Sequence, residues 1–398
     1  MRPTTTERTI AAFAHSVRVD GRRRHPAVAP PPLPCRFPVA SPPLSRLHPE
    51  GLHVIASATR PAARRAVRPF PSLRPGRRRA GRIALVASAL AFAAAGAYAA
   101  PTPDEIDGAT YDGGTLPDGQ SGLTVKVQVL LDRAGISPGV IDGYKGGMSE
   151  SAIRAFEARE GLEPDGAMDG EVWSALGGPD AGAVTLAYTI TAEDADVRGE
   201  PLPDDYAKLA ELDAMGFVSV AEKLAERFHM DVDFLAALNE GMAFEAGETI
   251  TVVDPGGKAE GSVASVTVDK ASGRLVARDA EGNTLTDYPV AVGSSETPSP
   301  SGTVEVTAIA FDPTYSYRPS ENFQQGDNDE PLTLPPGPNG PVGAVWIDLS
   351  EPTYGIHGTP EPAKLFTEQS HGCVRMSNWD ANELADMIER GATVEFIE

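Results

Sequence analysis

The sequence predicts a multidomain α+β protein: a small three-helix unit, a strand–helix–helix–strand module, and a mostly β C-terminal domain. Three observations carry this. Between 123 and 176, apolar residues recur at three-to-four spacing around two Asp-Gly turns. Between 188 and 253, two alternating stretches bracket two short amphipathic ones. From Ser262 onward the texture is short alternating runs divided by Gly, Pro, Asn and Asp. The 398 residues suffice for two or three domains with cores of their own.

The elements follow in chain order. Residues 1–76 are rich in Pro and Arg, lack Lys and show no periodicity. Such a stretch buries too little apolar surface to fold. It reads either as a disordered arm or as sequence upstream of the true start of translation, for example a GTG codon at Val67. Arg77, Arg78, Arg79 and Arg82 then precede the apolar run from Ile83 to Ala95, and Ala97-Tyr98-Ala99 follows. A basic segment, an apolar segment and an A-x-A site make residues 77–99 a secretory signal peptide, cut after Ala99. An uncleaved membrane anchor is the alternative, and membrane contact is expected only through that segment.

Charge divides the chain at the same place. Of the formal −22, residues 1–100 contribute +14, from 17 Arg against Glu7, Asp20 and Glu50. The remainder is near −36. A surface so acidic argues against nucleic-acid binding, which needs cations facing phosphates. Two cysteines exclude a disulfide scaffold. With Cys35 removed, the exported part carries a single cysteine, Cys373.

Residues 100–121, rich in Gly, Asp, Pro and Thr, read as a linker. Residues 122–178 form the three-helix unit. Val127, Leu130 and Leu131 mark its first helix, which stops at Gly135. Asp142-Gly143 turns the chain, and Ser149 is expected to cap the helix bearing Ala152, Ile153 and Phe156. Asp165-Gly166, 23 residues after the first Asp-Gly, leads to the helix of Val172, Trp173 and Leu176. In residues 185–255 a strand at Tyr188–Thr191 comes first, then helices over Val220–Phe228 and after Asp231, then a strand at Thr249–Val253. His229 is expected on the helix surface. A Pro- and acid-rich insertion of about 28 residues separates the first strand from the first helix. Residues 262–398 carry strands near Val266–Val268, Leu275–Arg278, Pro289–Val292, Thr303–Ile309, Val345–Leu349 and Thr393–Ile397, and a helix over Asp380–Glu389. Asp312–Pro341 is expected to be a long structureless loop that serves as a lid or substrate-binding loop.

The chemistry lies in Ile356-His357-Gly358-Thr359 and Ser370-His371-Gly372-Cys373-Val374-Arg375-Met376. A lone thiol in an exported protein, two residues after one His and sixteen after another, is a candidate nucleophile. It needs a neighbouring base or cation to become thiolate near neutral pH. Glycine neighbours let backbone N–H groups approach a developing oxyanion. Two other readings stay open on residue chemistry alone. His357, His371 and Cys373 would suit zinc, or the thiol is buried and inert.

Residues 120–178 resemble the helical peptidoglycan-binding domain of cell-wall enzymes, through Gln128, Asp142, Gly143, Gly146, Phe156, Gly161, Leu162, Asp165, Gly166 and Trp173. Asp169 and Glu157 depart from its usual Gly and Gln. A bare spacer is the alternative. The module at 185–255 resembles a degenerate lysin motif. Residues 262–398 resemble the L,D-transpeptidase catalytic domain, through His-Gly-Thr and Ser-His-Gly-Cys-Val-Arg-Met, Pro300-x-Gly302, the Trp346 strand and Asn378/Asp380/Leu384.

That resemblance implies a mostly β, sandwich-like catalytic fold and a cysteine enzyme that cross-links peptidoglycan, with neither metal nor organic cofactor, exported to the periplasm or cell wall. It makes Cys373 the nucleophile and His357 the base and acid. The carbonyl of Gly358 would orient the imidazole, so the missing side chain there would be no loss. His371 would shape the site, and Gly372 and Cys373 would supply amides. Arg375 would meet a stem-peptide carboxylate by bidentate pairing. An ion pair with an acid of the terminal helix is its alternative. Ser370 would hold the loop, and Thr359 completes the expected substrate-binding set. Peptidoglycan stems and glycan are the expected partners. The acyl acceptor would be a second stem, a lipoprotein lysine, a free D-amino acid or water. An L,D-carboxypeptidase and a non-catalytic wall-binding scaffold are the competing functions.

Overall fold

The computed structural model describes residues 100–320 and 323–398. The expected extension 1–76, the signal peptide 77–99 and Cys35 lie outside the described residues. Among the described residues, no helix is long and apolar enough to cross a membrane.

The stretch expected as a linker is folded. Thr102 and Glu105 make a capping box around helix α1 (Pro103–Asp107), which buries Ile106 completely. The Asp107 carboxylate accepts from the amides of Val184 and Thr185 at 2.8 and 3.0 Å, tying this segment to the next module. Local Gly and Pro content concealed a segment held by long-range contacts.

Helices α2 (Gly122–Arg133), α3 (Gly147–Glu160) and α4 (Gly170–Ala175) form the three-helix unit. Gly143 and Gly166, in the two Asp-Gly turns, both sit at φ +77°. A Cβ on Gly143 would lie 2.8 Å from the Val125 side chain. Gln128 Oε1 accepts the Gly143 N–H at 2.8 Å, and a Glu157 carboxylate oxygen accepts that of Gly166 at 2.7 Å. The departure at Glu157 therefore keeps the acceptor that the turn requires. Ser149 is not the helix cap: Gly146 holds that position, and Ser149 is buried one turn inside, where its hydroxyl takes a hydrogen bond from Gln128 Nε2.

Strand β1 (Thr185–Thr189), helices α5 (Tyr206–Leu209), α6 (Val220–Arg227) and α7 (Val232–Leu238), and strand β2 (Thr249–Val253) follow. β1 and β2 pair antiparallel, and Ser219 with Glu222 boxes the start of α6. The two modules expected to be separate share one apolar core, in which Phe156 and Trp173 join Leu224, Phe234 and Val252. His229 is not on a helix surface. It sits at φ +57° between α6 and α7, with Nδ1 2.7 Å from Asp132 and its ring stacked on Trp379 at 5.2 Å.

The C-terminal domain is built from β3 (Val263–Asp269), β4 (Arg274–Arg278), β5 (Thr284–Pro289), β6 (Gly302–Phe311), β7 (Tyr315–Tyr317), β8 (Leu332–Leu334), β9 (Val345–Leu349), β10 (Gly355–His357), β11 (Val374–Arg375), α8 (Asn378–Met387) and β12 (Ile388–Ile397). Eight strands make one curled sheet, in the order β11-β10-β9-β6-β12-β3-β4-β5. β6 joins its two halves, pairing β12 through Gly302–Glu305 and β9 through Val306–Phe311. Ala381, Leu384 and Met387 of α8 fill the core between them. The helix ends at Met387 rather than Glu389, because Ile388 already pairs with Val263.

Two features place the remaining parts. At the β5 edge, the Ser137 amide donates to Asp287 O and the Asp287 amide to Gly135 O, both at 2.9 Å, so the first unit covers an open strand. The buried Arg274–Asp287 pair lies beneath, with Arg274 also donating to Ser137 O. On the other side, Asp312–Pro341 is not structureless: β7 and β8 pair as an antiparallel hairpin. Its Tyr-Ser-Tyr and Leu-Thr-Leu strands are three residues each, too short to stand out among Pro, Gly and Asn.

Candidate active site

His357 and Cys373 are brought together by strand pairing. β10 lies between β9 and β11, and pairs parallel with β11, so that Ile356 opposes Val374 and His357 opposes Arg375. Cys373 immediately precedes that pair and His357 ends it. His357 is buried, and its ring stacks on Trp346 of β9 at 5.7 Å and 18°. Its Nδ1 lies 2.7 Å from the carbonyl oxygen of Gly358. A carbonyl only accepts, so Nδ1 carries the proton and a neutral ring presents Nε2 as its basic nitrogen.

Cys373 is half-buried and packs against an apolar cluster that includes Trp346, Tyr315, Tyr317 and Leu334. Its Sγ lies 3.8 Å from Thr353 O. Thr353 holds φ +83°, a strained conformation for a β-branched residue, and its hydroxyl is buried without a hydrogen-bond partner. Burial raises the Tyr354 hydroxyl above its usual range, with the Cys373 charge adding to it. Sequence reasoning missed Thr353 and Tyr354, whose roles come from how the chain folds back rather than from residue type.

The turn that carries the thiol is braced from three sides. Ser370 Oγ donates to Cys373 O and accepts from the Gly372 amide. Gly372 sits at φ +118°, and a Cβ there would meet the Tyr354 ring at 2.9 Å. Ser299, also missed, accepts from the Gly293 amide at 2.9 Å and donates to Gly372 O at 2.8 Å. The Gly372 N–H, expected to be one of the amides of the site, donates to Ser370 Oγ at 3.1 Å.

The other expected residues divide. Gly358 does more than spare a side chain: a Cβ there would lie 2.1 Å from Asn378 Oδ1, which takes the Ala344 amide. Thr359 is buried, with its hydroxyl accepting from Glu361 N at 3.2 Å, so it holds a turn and does not line an open surface. Arg375 forms no pair with an acid of α8. It donates to Glu368 O at 2.8 Å and feels Glu368 and Glu361 of the preceding loop, while its Nε is buried without a partner. His371 is exposed, its ring flat against Phe323 at 5.1 Å and 19°. Among the described residues, no group of three His, Cys, Asp or Glu side chains is placed to hold a metal ion.

A cavity of about 560 Å³ opens elsewhere, at the junction of the three parts. Asp132, Glu226, His229, Trp379, Asp380 and Glu383 help to line it, and no residue of the cysteine turn does. Burial pushes Glu226 and Asp380 up to about 7, with the Asp132 charge adding at Asp380. The candidate nucleophile and base, at the paired ends of β11 and β10, lie outside this cavity.

Comparison with known proteins places two domains on the chain. Residues 264–396 match the family model of the L,D-transpeptidase catalytic domain, and residues 120–176 match that of a "Putative peptidoglycan binding domain". The chain is 29% identical over 179 residues to the "Putative L,D-transpeptidase YkuD" of Bacillus licheniformis, covering 44% of this chain and 90% of that protein. It is 29% identical over 138 residues to the "Probable L,D-transpeptidase ErfK/SrfK" of Escherichia coli, covering 33% of this chain and 44% of that one, so it spans under half of this relative. Among solved structures, an L,D-transpeptidase from Xylanimonas cellulosilytica aligns over 72% of this chain and all of that chain, at 15% identity. Its TM-score of 0.34 is too low to carry a fold argument.

Proposed function

We propose that this chain, which carries an L,D-transpeptidase catalytic domain behind a peptidoglycan-binding domain, acts on the tetrapeptide stems of peptidoglycan through a thioester on Cys373. The observation that carries the reading is the seating of His357. Nδ1 is held by Gly358 O, so Nε2 is left as the basic nitrogen on a ring fixed against Trp346, one strand pair from the thiol.

In this mechanism His357 Nε2 takes the thiol proton, and Cys373 Sγ attacks the carbonyl of the diaminopimelate L-centre. The tetrahedral intermediate collapses, D-alanine leaves with the proton from His357, and the thioester remains. The side-chain amine of a second diaminopimelate then attacks, giving a 3-3 cross-link and returning the thiol. The Arg375 guanidinium, half-buried with an unpartnered Nε, supports a role in holding a stem carboxylate. The helical domain would hold the enzyme on its polymer. This chemistry belongs outside the cytoplasm, as the proposed signal peptide requires.

The test is incubation of the purified protein with disaccharide-tetrapeptide, followed by mass spectrometry. Dimers that have lost one D-alanine establish transpeptidation. Tripeptide monomers alone establish an L,D-carboxypeptidase. Neither product from folded protein overturns the proposal and favours the scaffold reading.

A further inference from the structure

The acidic insertion between β1 and α6 is unused by the mechanism, yet it joins the apolar cluster against which Cys373 packs. The Met215 amide donates to Pro336 O at 2.8 Å, and the Asn339 amide donates to Met215 O at 3.1 Å. A Cβ on Gly337 would lie 2.2 Å from Met215 O, so only glycine admits this approach. Gln325 Nε2 donates to Asp204 O at 2.7 Å, and Gln325 Oε1 accepts the Tyr206 amide at 3.2 Å. The Tyr206 ring stands edge-on to Tyr317, Phe323 and Tyr315, at 5.2, 6.1 and 6.3 Å. Phe323 is the ring that stacks on His371. Leu209 and Met215 belong to the same apolar cluster as Tyr315, Tyr317 and Trp346, against which Cys373 packs.

We propose that Tyr206 is a positioning residue for the reaction: with Met215, it fixes the β7–β8 hairpin beside His371 and Cys373. One wall of the substrate cleft is then set by the module at 185–255 and not by the C-terminal domain alone. The insertion is bonded to the hairpin segment through Asp204, Tyr206 and Met215. Here it has the shape of a clasp, with its chain bonded at both ends of the hairpin. Tyr206 acts through Phe323 and His371, and the thiol and its base stay seated on β10 and β11. Its loss therefore alters how substrate fits, and leaves the reactivity of the thiol toward a small reagent unchanged.

The inference rests on the catalytic reading above, and the experiment separates the two. Full-length Tyr206→Ala and Tyr206→Phe are compared with wild type for steady-state kinetics on disaccharide-tetrapeptide, Cys373 alkylation by iodoacetamide across pH, and hydrogen exchange. Displacement of a positioning group by about 1 Å costs up to about a hundredfold. Tyr206→Ala is expected to raise KM at least about tenfold on that scale, with a smaller change in kcat. Exchange at 315–317 and 332–334 is expected to quicken, with the alkylation rate and its pH profile unchanged and Tyr206→Phe restoring wild-type values. Gln325→Ala, which removes three hydrogen bonds, two to the insertion and one to Asn328, and no core ring, is expected to move KM and exchange in the same direction. Unchanged exchange, or quickened exchange with unchanged KM, overturns the proposal. So does a parallel fall in alkylation, which would mean general unfolding. If wild type does not turn over the stem at all, the catalytic reading fails. Unaltered hairpin exchange in both variants would then overturn the clasp independently, and quickened exchange would support it.

Discussion

The Nδ1 of His357 donates to the carbonyl oxygen of Gly358, the next residue in the chain, at 2.7 Å. A backbone atom thus occupies the place that a carboxylate takes in a Ser-His-Asp triad. In the proposed mechanism the acceptor is neutral, so the imidazolium formed after proton transfer would gain a dipole and no full counter-charge. His357→Ala should therefore lower kcat/KM by about 10²–10⁴, the usual contribution of a positioned base. It should also remove any excess of Cys373 alkylation over a simple thiol at neutral pH. Stopped-flow alkylation checks this, and an unchanged rate would show that another group activates the sulfur.

Gly358 is held between that hydrogen bond and Asn378. Gly358→Ala puts a methyl group 2.1 Å from Asn378 Oδ1, so the β10 end or the α8 start must move. Overpacking of this kind costs about 1–3 kcal/mol. We expect thermal denaturation to show that loss and activity to fall further than stability alone explains, because the moved carbonyl no longer fixes the imidazole.

Arg375 has one guanidinium nitrogen buried without a partner. A charge-assisted hydrogen bond to a stem carboxylate is worth about 1.5–3 kcal/mol. Arg375→Ala should accordingly lower kcat/KM by about tenfold to a hundredfold, mostly through KM. Arg375→Lys should not restore it, since an ammonium lacks the planar fork. Steady-state kinetics on a stem lacking the recognised carboxylate should show no further loss in the variant.

The junction cavity makes stability depend on pH. Glu226 and Asp380 titrate near 4 in an unfolded chain and at about 7 in the folded one, chiefly through burial. Between those values the folded state holds protons that the unfolded state has lost, so stability falls as pH rises through that window and levels off above it. Burial works against charge on His229, but Asp132, with Asp380 and Glu383 adding to it, holds the imidazole above its usual range. The stabilisation from that pair is likewise lost as pH rises through the raised value. Tm should be higher at pH 6 than at pH 8, and Asp380→Asn should flatten the slope. Calorimetry at both pH values checks this, and a Tm that rises toward pH 8 would contradict it.

What could be read from the sequence was local. The apolar spacing over Val220–Phe228, the cap at Asp231 and the two Asp-Gly turns act within a few residues of themselves, so α6, α7 and the turns beside Gln128 and Glu157 were legible. His357 and Cys373 were legible because they fall within one short stretch of the chain. Contacts across long separations were not. Ser299 supports Gly372 from 73 residues away, and Tyr206 meets Tyr317 from the far side of another module. Composition misled where tertiary partners stabilise a polar stretch, as with the capped α1 and the β7–β8 hairpin. His229 escaped because a left-handed backbone at a histidine depends on the Asp132 and Trp379 that hold it.

The central claim is a covalent acyl-enzyme on one sulfur. Intact-protein mass spectrometry after mixing with a tetrapeptide donor in the absence of acceptor amine tests it most directly. We predict an adduct equal to the donor less D-alanine, located on Cys373 by peptide mapping and absent in Cys373→Ala. Release of D-alanine by Cys373→Ala at the wild-type rate, or an adduct on another residue, would contradict the account.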